Sequence, residues 1–144
     1  MFAHILAPTD FSQPANDALA LAVAIAEKFN SRITLVHVVT PPALIYADMP
    51  SYDFITPLEE AARAELARVL ETLRAKWPSA DSLLRHGPAA NEILNAIASE
   101  KADLVVMATR GRGALNLNRL LVGSVAERIV RESPVPVLTA RSHK

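Results

Sequence analysis

The chain contains no cysteine among its 144 residues, which excludes disulfide frameworks, thiolate metal sites and thiol nucleophiles. A reducing compartment suits such a chain, and the cytoplasm is the expected setting. It also lacks an excess of charge: 15 lysines and arginines balance 15 aspartates and glutamates. That balance removes the long-range field by which proteins attract nucleic acid or anionic membranes, so neither is an expected partner. No apolar run can span a bilayer, which takes about 20 residues. The longest stretch free of Asp, Glu, Lys and Arg runs from Ile33 to Ala47 and is broken by Pro41 and Pro42. The segment Met1 to Asp10 has no basic region ahead of its apolar residues and does not read as a secretion signal. Glycine is also scarce. Against a usual share of about 7%, only Gly87, Gly111, Gly113 and Gly123 are present, and three of these fall in one short segment.

Apolar residues make up 51% of the chain and charged residues 21%, the balance of a globular protein rather than a disordered or fibrous one. The length suits one domain covering residues 1–144, large enough to bury a core without metals or disulfides.

Short apolar runs alternate with stretches of helical periodicity. Phe2 to Ala7 reads as a buried strand ending at a Pro8-Thr9-Asp10 turn, and Ile33 to Val39 as a strand covered on both faces. Between them Ala18, Leu21, Ala22, Ile25, Ala26 and Phe29 recur at helical spacing, with Ser12 as the expected cap and Pro14 in the first turn. Thr40 to Ile55 reads as a long irregular connection holding three prolines. Thr56 and Glu59 form a capping box with Pro57 at the first helical position, and the apolar stripe from Leu58 to Trp77 follows. Glu59 with Arg63, and Glu71 with Arg74, are spaced to pair on that helix. Ser82 to His86 is a third strand, and Ala90 to Ala98 another amphipathic helix. Asp103 to Ala108 is a fourth strand, Ser124 to Glu132 a helix with Ser124 and Glu127 as capping box, and Val135 to Ala140 a last strand. Pro136 marks that last strand as an edge, because it has no amide hydrogen.

This order calls for an α/β fold: a five-stranded doubly wound parallel sheet with right-handed crossovers. If the strand order reverses between strands one and four, as in 3-2-1-4-5, the ligand crevice lies beyond their carboxyl ends, where Pro8, Thr9, Asp10 and the residues from Ala108 to Gly113 fall.

The glycine segment is the strongest chemical feature. Gly111 and Gly113 would let main-chain amides approach phosphate, and Ser124, after Gly123, opens a helix whose N-terminus attracts anions. The alternative is a tight turn followed by an ordinary cap. Two familiar fingerprints are missing: Asn116 stands where the dinucleotide motif requires Gly or Ala, and no lysine precedes Ser124 as in a P-loop. Arg110 and Arg112 could neutralise phosphate. His4, His37, His86 and His143 form no metal-binding spacing and read as structural. No serine sits in a nucleophile elbow, and Asp10 has no histidine or lysine partner in sequence to make it a base.

Four motifs in order, Ala7-Pro8-Thr9-Asp10-Phe11-Ser12, Leu35-Val36-His37-Val38, Asp103-Leu104-Val105-Val106-Met107 and Gly123-Ser124-Val125-Ala126-Glu127-Arg128, resemble those of the universal stress protein family. The resemblance continues through Pro134-Val135-Pro136-Val137-Leu138 and covers the whole chain. It implies a Rossmann-like domain of the adenine nucleotide alpha hydrolase type that binds ATP with magnesium, or AMP or ADP. It also implies a homodimer paired through the strand Val135 to Ala140.

The resemblance further implies that Asp10 contacts the adenosine part, that Val38 offers backbone groups to the adenine edge, and that Met107, Ala108, Gly111, Gly113, Gly123, Ser124 and Val125 surround the phosphates. Pro8 and Thr9 complete the set. The chain departs from the family's glycine pattern in two ways. Ala108 stands at the first glycine position, and eleven residues rather than nine separate Gly111 from Gly123. Counting from Gly113 restores nine but puts Arg110 at the first position.

The expected function is therefore adenine-nucleotide binding with a regulatory or stress-response role. A slow ATP hydrolase and an interaction module that binds no nucleotide are the alternatives.

Overall fold

A computed structural model describes residues 1–40, 52–110 and 123–141. Along them run β1 (His4–Pro8), α1 (Gln13–Phe29), β2 (Arg32–Val39), α2 (Tyr52–Lys76), β3 (Asp81–His86), α3 (Ala89–Ser99), β4 (Leu104–Ala108), α4 (Ser124–Glu132) and β5 (Val137–Ala140). The strands form one parallel sheet in the expected order β3-β2-β1-β4-β5.

The near-continuous apolar runs of the central strands follow from burial on both faces. Ile5, Ile33, Leu35 and Val106 point to one side, where α1 and α2 cover them with Ala22, Ala26, Leu66 and Leu73. Leu6, Val36 and Val105 point to the other, against Ile93 and Ile97 of α3 and Ile129 of α4. Leu6 is fully buried, and cutting such a leucine to alanine costs about 2–5 kcal/mol. The small residues of α1 let that helix lie close to the sheet.

Helix α1 starts as its sequence specifies. Ser12 caps it by accepting from the Ala15 amide, Pro14 sits in the first turn, and Asn30 ends it in the left-handed conformation with φ 53°. Helix α2 differs from expectation, because it starts at Tyr52 rather than after Thr56 and so encloses Pro57. As the sixth residue of α2, Pro57 has no amide to donate to the Asp53 carbonyl, so the helix forgoes one bond of its ladder there. The irregular connection thus ends earlier than the sequence suggests, and residues 41–51 lie outside those described.

Arg63 pairs with Glu59 at 2.7 Å as expected. Arg74 does not turn to Glu71. Its Nε donates to the Ala80 carbonyl at 2.8 Å and its Nη2 approaches Asp81 at 3.4 Å, which ties the end of α2 to β3. β1 begins at His4 because Phe2, with φ 54°, breaks extended geometry. β5 begins at Val137, two residues later than the expected Val135, and is an edge strand.

β1 lies between β2 and β4, and the chain leaves it toward one face of the sheet. The chain leaving β4 enters the helix on the other face. The two connections diverge and open a crevice at the carboxyl ends of β1 and β4.

Candidate functional site

The crevice is floored by the turn after β1. The Thr9 hydroxyl accepts from the Phe11 amide at 3.0 Å, and Asp10 Oδ1 accepts from the Ser12 amide at 3.0 Å. These side-chain bonds substitute for backbone turn bonds. They hold Phe11 at φ 67°, a region that costs a bulky residue on the order of 1–3 kcal/mol. The Phe11 ring is supported by the His37 imidazole, with centroids 4.2 Å apart. His37 Nδ1 lies 2.8 Å from the Thr9 carbonyl. A carbonyl only accepts, so Nδ1 carries the proton and donates.

The opposite wall is the start of α4. Its N-cap is Gly123, with no side-chain cap, and the first helical bond runs from the Glu127 amide to the Gly123 carbonyl at 2.9 Å. Ser124 is therefore the first helical residue and does not form the capping box expected with Glu127. The amides of Ser124, Val125 and Ala126 have no intrahelical acceptor, and the helix dipole adds about half a positive charge at this end. Gly123 donates to the Thr109 carbonyl at 2.6 Å, and Thr109 donates to Ala140 at 3.1 Å, so β4, β5 and α4 meet at this point.

Gly87 shapes the third side. At φ 132° it occupies a region closed to other residues, and its amide donates to the Val39 carbonyl at 3.0 Å while its carbonyl accepts from Thr40 Oγ1 at 2.8 Å. This turn swings α3 in so that Ala89 and Ile93 reach the crevice.

Together these elements enclose a cavity of about 480 Å³, within the range of small-molecule sites. Val36, Val38, Ile93 and Met107 give it an apolar interior, and Asp10 and Arg110 are the charged residues in its described lining. An anion at the α4 end and a flat, largely apolar group between β2 and α3 would each meet matching chemistry. Among the described residues no cluster of three or more His, Cys, Asp or Glu is arranged to hold a metal ion. No helix among them is long and apolar enough to cross a membrane.

The family profile described as the universal stress protein family matches residues 1–141. The chain belongs to the universal stress protein family. A universal stress protein of Thermus aquaticus, encoded in the QAH/OAS sulfhydrylase 3′ region, is 39% identical over 98% of this chain and all of its own length. Among solved structures, hypothetical protein MJ0577 superposes with a TM-score of 0.82 at 26% identity, covering 100% of this chain and 99% of its own. Two more distant structures share the fold. A universal stress protein in complex with cAMP has a TM-score of 0.72 at 20% identity, covering 96% of this chain and 97% of its own. The Arabidopsis thaliana family protein At3g01520 with AMP bound has a TM-score of 0.69 at 14% identity, covering 98% and 92%.

In this universal stress protein the cavity lining brings together Pro8, Thr9, Asp10, Val38, Met107, Ala108, Gly123, Ser124 and Val125. Gly111, Gly113 and Arg112 lie outside the described residues. Ala108 is a strand residue without positive φ, so its methyl group imposes no backbone strain at that family glycine position. Sequence reasoning treated His37 as structural and passed over Thr109, Ala89 and Ile93, all of which line the cavity. The signal for His37 was its place beside Val38 at the carboxyl end of a strand bordering the switch point. Ala89 and Ile93 gave none beyond helical periodicity.

Proposed function

We propose that this universal stress protein binds an adenine nucleotide in the crevice between β1 and β4, and that binding serves a regulatory or stress-response role. The observation that carries this reading is the start of α4, which opens on an apolar cavity with a glycine at its N-cap and no cap bond from that residue. Phosphate oxygens would accept from the Ser124 and Val125 amides beside Gly123, with Arg110 offsetting their charge. Asp10 would accept from a ribose hydroxyl, and the Val38 backbone would meet the adenine edge, as the family resemblance implies. Magnesium would arrive coordinated to ATP. The solved relatives with cAMP and AMP support the adenine nucleotide class. A cytoplasmic setting, where ATP is held, belongs to the same reading.

β5 carries the second part of the proposal. It is an edge strand, and Leu138 on it and Val130 on α4 are exposed. Pairing of β5 with its copy would cover these side chains in a homodimer. Light scattering should give twice the mass of the chain, and Leu138→Lys should shift the protein to the monomer.

Purified protein should release adenine nucleotide on denaturation. ATP with magnesium at about 100 times its Kd should then stabilise the protein by about 2.7 kcal/mol, or about 5–10 °C in melting temperature for a domain of this size. Absence of released nucleotide, together with no shift at millimolar ATP, would sink the reading.

A further inference from the structure

The ladder between β1 and β2 stops before β2 does. Its last Cα pair is Pro8 with Val36, and the last backbone bond between the two segments runs from the Thr9 amide to the Val36 carbonyl at 2.8 Å. Polar groups of successive strand residues point to opposite neighbours. The Val36 carbonyl faces β1, and the Val39 carbonyl, which accepts from Gly87 at 3.0 Å, faces β3. The amide and carbonyl of Val38 therefore face the β1 side, where the chain has turned away into Thr9 and Asp10.

One more rung would join the Val38 amide to the Thr9 carbonyl. Thr9 accepts instead from His37 Nδ1 at 2.8 Å. The imidazole is kept there by the Phe11 ring, and Phe11 by its amide bond to Thr9 Oγ1. His37, Thr9 and Phe11 thus form a closed set of contacts that halts the ladder one rung early.

We propose that His37 is a positioning residue for base recognition: by engaging the Thr9 carbonyl it keeps the Val38 amide and carbonyl open to an incoming adenine. The inference rests on the nucleotide-binding reading. Adenine presents an acceptor, N1, beside a donor, its 6-amino group, and a strand edge offering N–H and C=O matches that pair. Guanine presents the two in reverse order. If Val38 were paired with Thr9, the amide would be lost to the base.

Two substitutions at His37 separate the roles of its donor and its ring. His37→Phe keeps a ring for Phe11 but has no donor, whereas His37→Asn keeps a donor near the Nδ1 position. Calorimetry should give His37→Phe about tenfold weaker ATP binding, with His37→Asn within about threefold of the parent protein. The Val38 amide should exchange quickly in the parent protein and in His37→Asn. In His37→Phe it should become protected to the level of Val36, because the Thr9 carbonyl is released to complete the rung. ATP affinity and Val38 exchange both unchanged in His37→Phe would overturn the proposal. If the parent protein binds no adenine nucleotide, the functional reading fails separately, and the exchange comparison still decides what His37 does to the ladder. Should His37→Phe fail to fold, nitrogen NMR of the parent protein decides. A ring protonated at Nδ1 with rapid Val38 exchange supports the role, and one protonated at Nε2 overturns it.

Discussion

The amide of Gly123 donates to the carbonyl of Thr109 at 2.6 Å, so the chain returns to the end of β4 before it enters α4. That bond fixes Gly123 beside the end of β4. Gly123 has φ −62° and ψ 153°, angles that any residue adopts. Its backbone angles therefore do not demand glycine here, and the proposed phosphate site beside it gives a reason for a residue without a side chain. Gly123→Ala should lower stability by no more than about 1 kcal/mol, the difference between the two residues at an N-cap. ATP binding should fall about tenfold or more as the methyl group intrudes on the phosphate position. Melting curves and calorimetric titration on the same samples check both halves, and equal ATP affinity in variant and parent would refute the second.

Ser124 gives a sharper separation of stability from binding. As a capping serine its replacement by alanine would cost about 1 kcal/mol. As the exposed first helical residue, with no cap bond made, it should cost no more than about 0.5 kcal/mol. Loss of a hydroxyl beside the phosphates should weaken ATP about three- to tenfold. A denaturation midpoint lowered by the full cap value would restore the role the sequence suggests.

The contrast between Ser12 and Ser124 shows what the sequence could specify. Both precede apolar helical patterns, yet Ser12 caps and Ser124 does not, because the Gly123–Thr109 bond sets where α4 begins. That bond joins residues fourteen apart along the chain, and no local pattern encodes it. Which strands are central was legible because apolar runs in β1, β2 and β4 require cover on both faces, and Pro136 could not enter a central strand. The crevice was legible as a place, from the switch-point rule and the ordered motifs. Its walls were less so: His37 looks like any strand residue until Thr9 and Phe11 are folded against it.

Asp10 combines a turn role with the proposed ribose contact, and substitution can separate them. Its Oδ1 accepts from the Ser12 amide at 3.0 Å, a bond that the side-chain oxygen of asparagine can also make. Asp10→Asn should therefore keep stability within about 0.5 kcal/mol. It should weaken ATP about tenfold, since hydrogen bonds to a charged acceptor are about twice as strong as neutral ones. Asp10→Ala should lose on both counts. Equal ATP binding by Asp10→Asn and the parent protein would remove the carboxylate from the site.

The end of the sheet away from the crevice should govern the response to acid. His4 is buried, its Nδ1 donating to the Glu100 carbonyl at 2.8 Å and its Nε2 accepting from the Thr34 hydroxyl at 2.7 Å. Burial, and next the Arg32 charge, lower its pKa from 6.5 against the raising effects of Glu100 and Asp103. A depressed folded pKa means that the unfolded chain takes up the proton first. Stability is thus complete above pH 6.5 and falls as the pH drops toward the folded value, at no more than about 1.4 kcal/mol per pH unit for one proton. Asp103 adds a second step at lower pH. Burial would raise its carboxyl, but the amides of His4 and Ala3, both at 2.9 Å, outweigh this and hold it below 3.8. By the same sign its contribution is present above 3.8 and is lost in more acid solution. His4→Asn keeps a donor for Glu100 without a titrating ring, so its stability should be lower at neutral pH but flatter between pH 7 and 5 than that of the parent protein. Denaturation midpoints across that range test this, and parallel curves for the two proteins would show that His4 is not the group that senses acid.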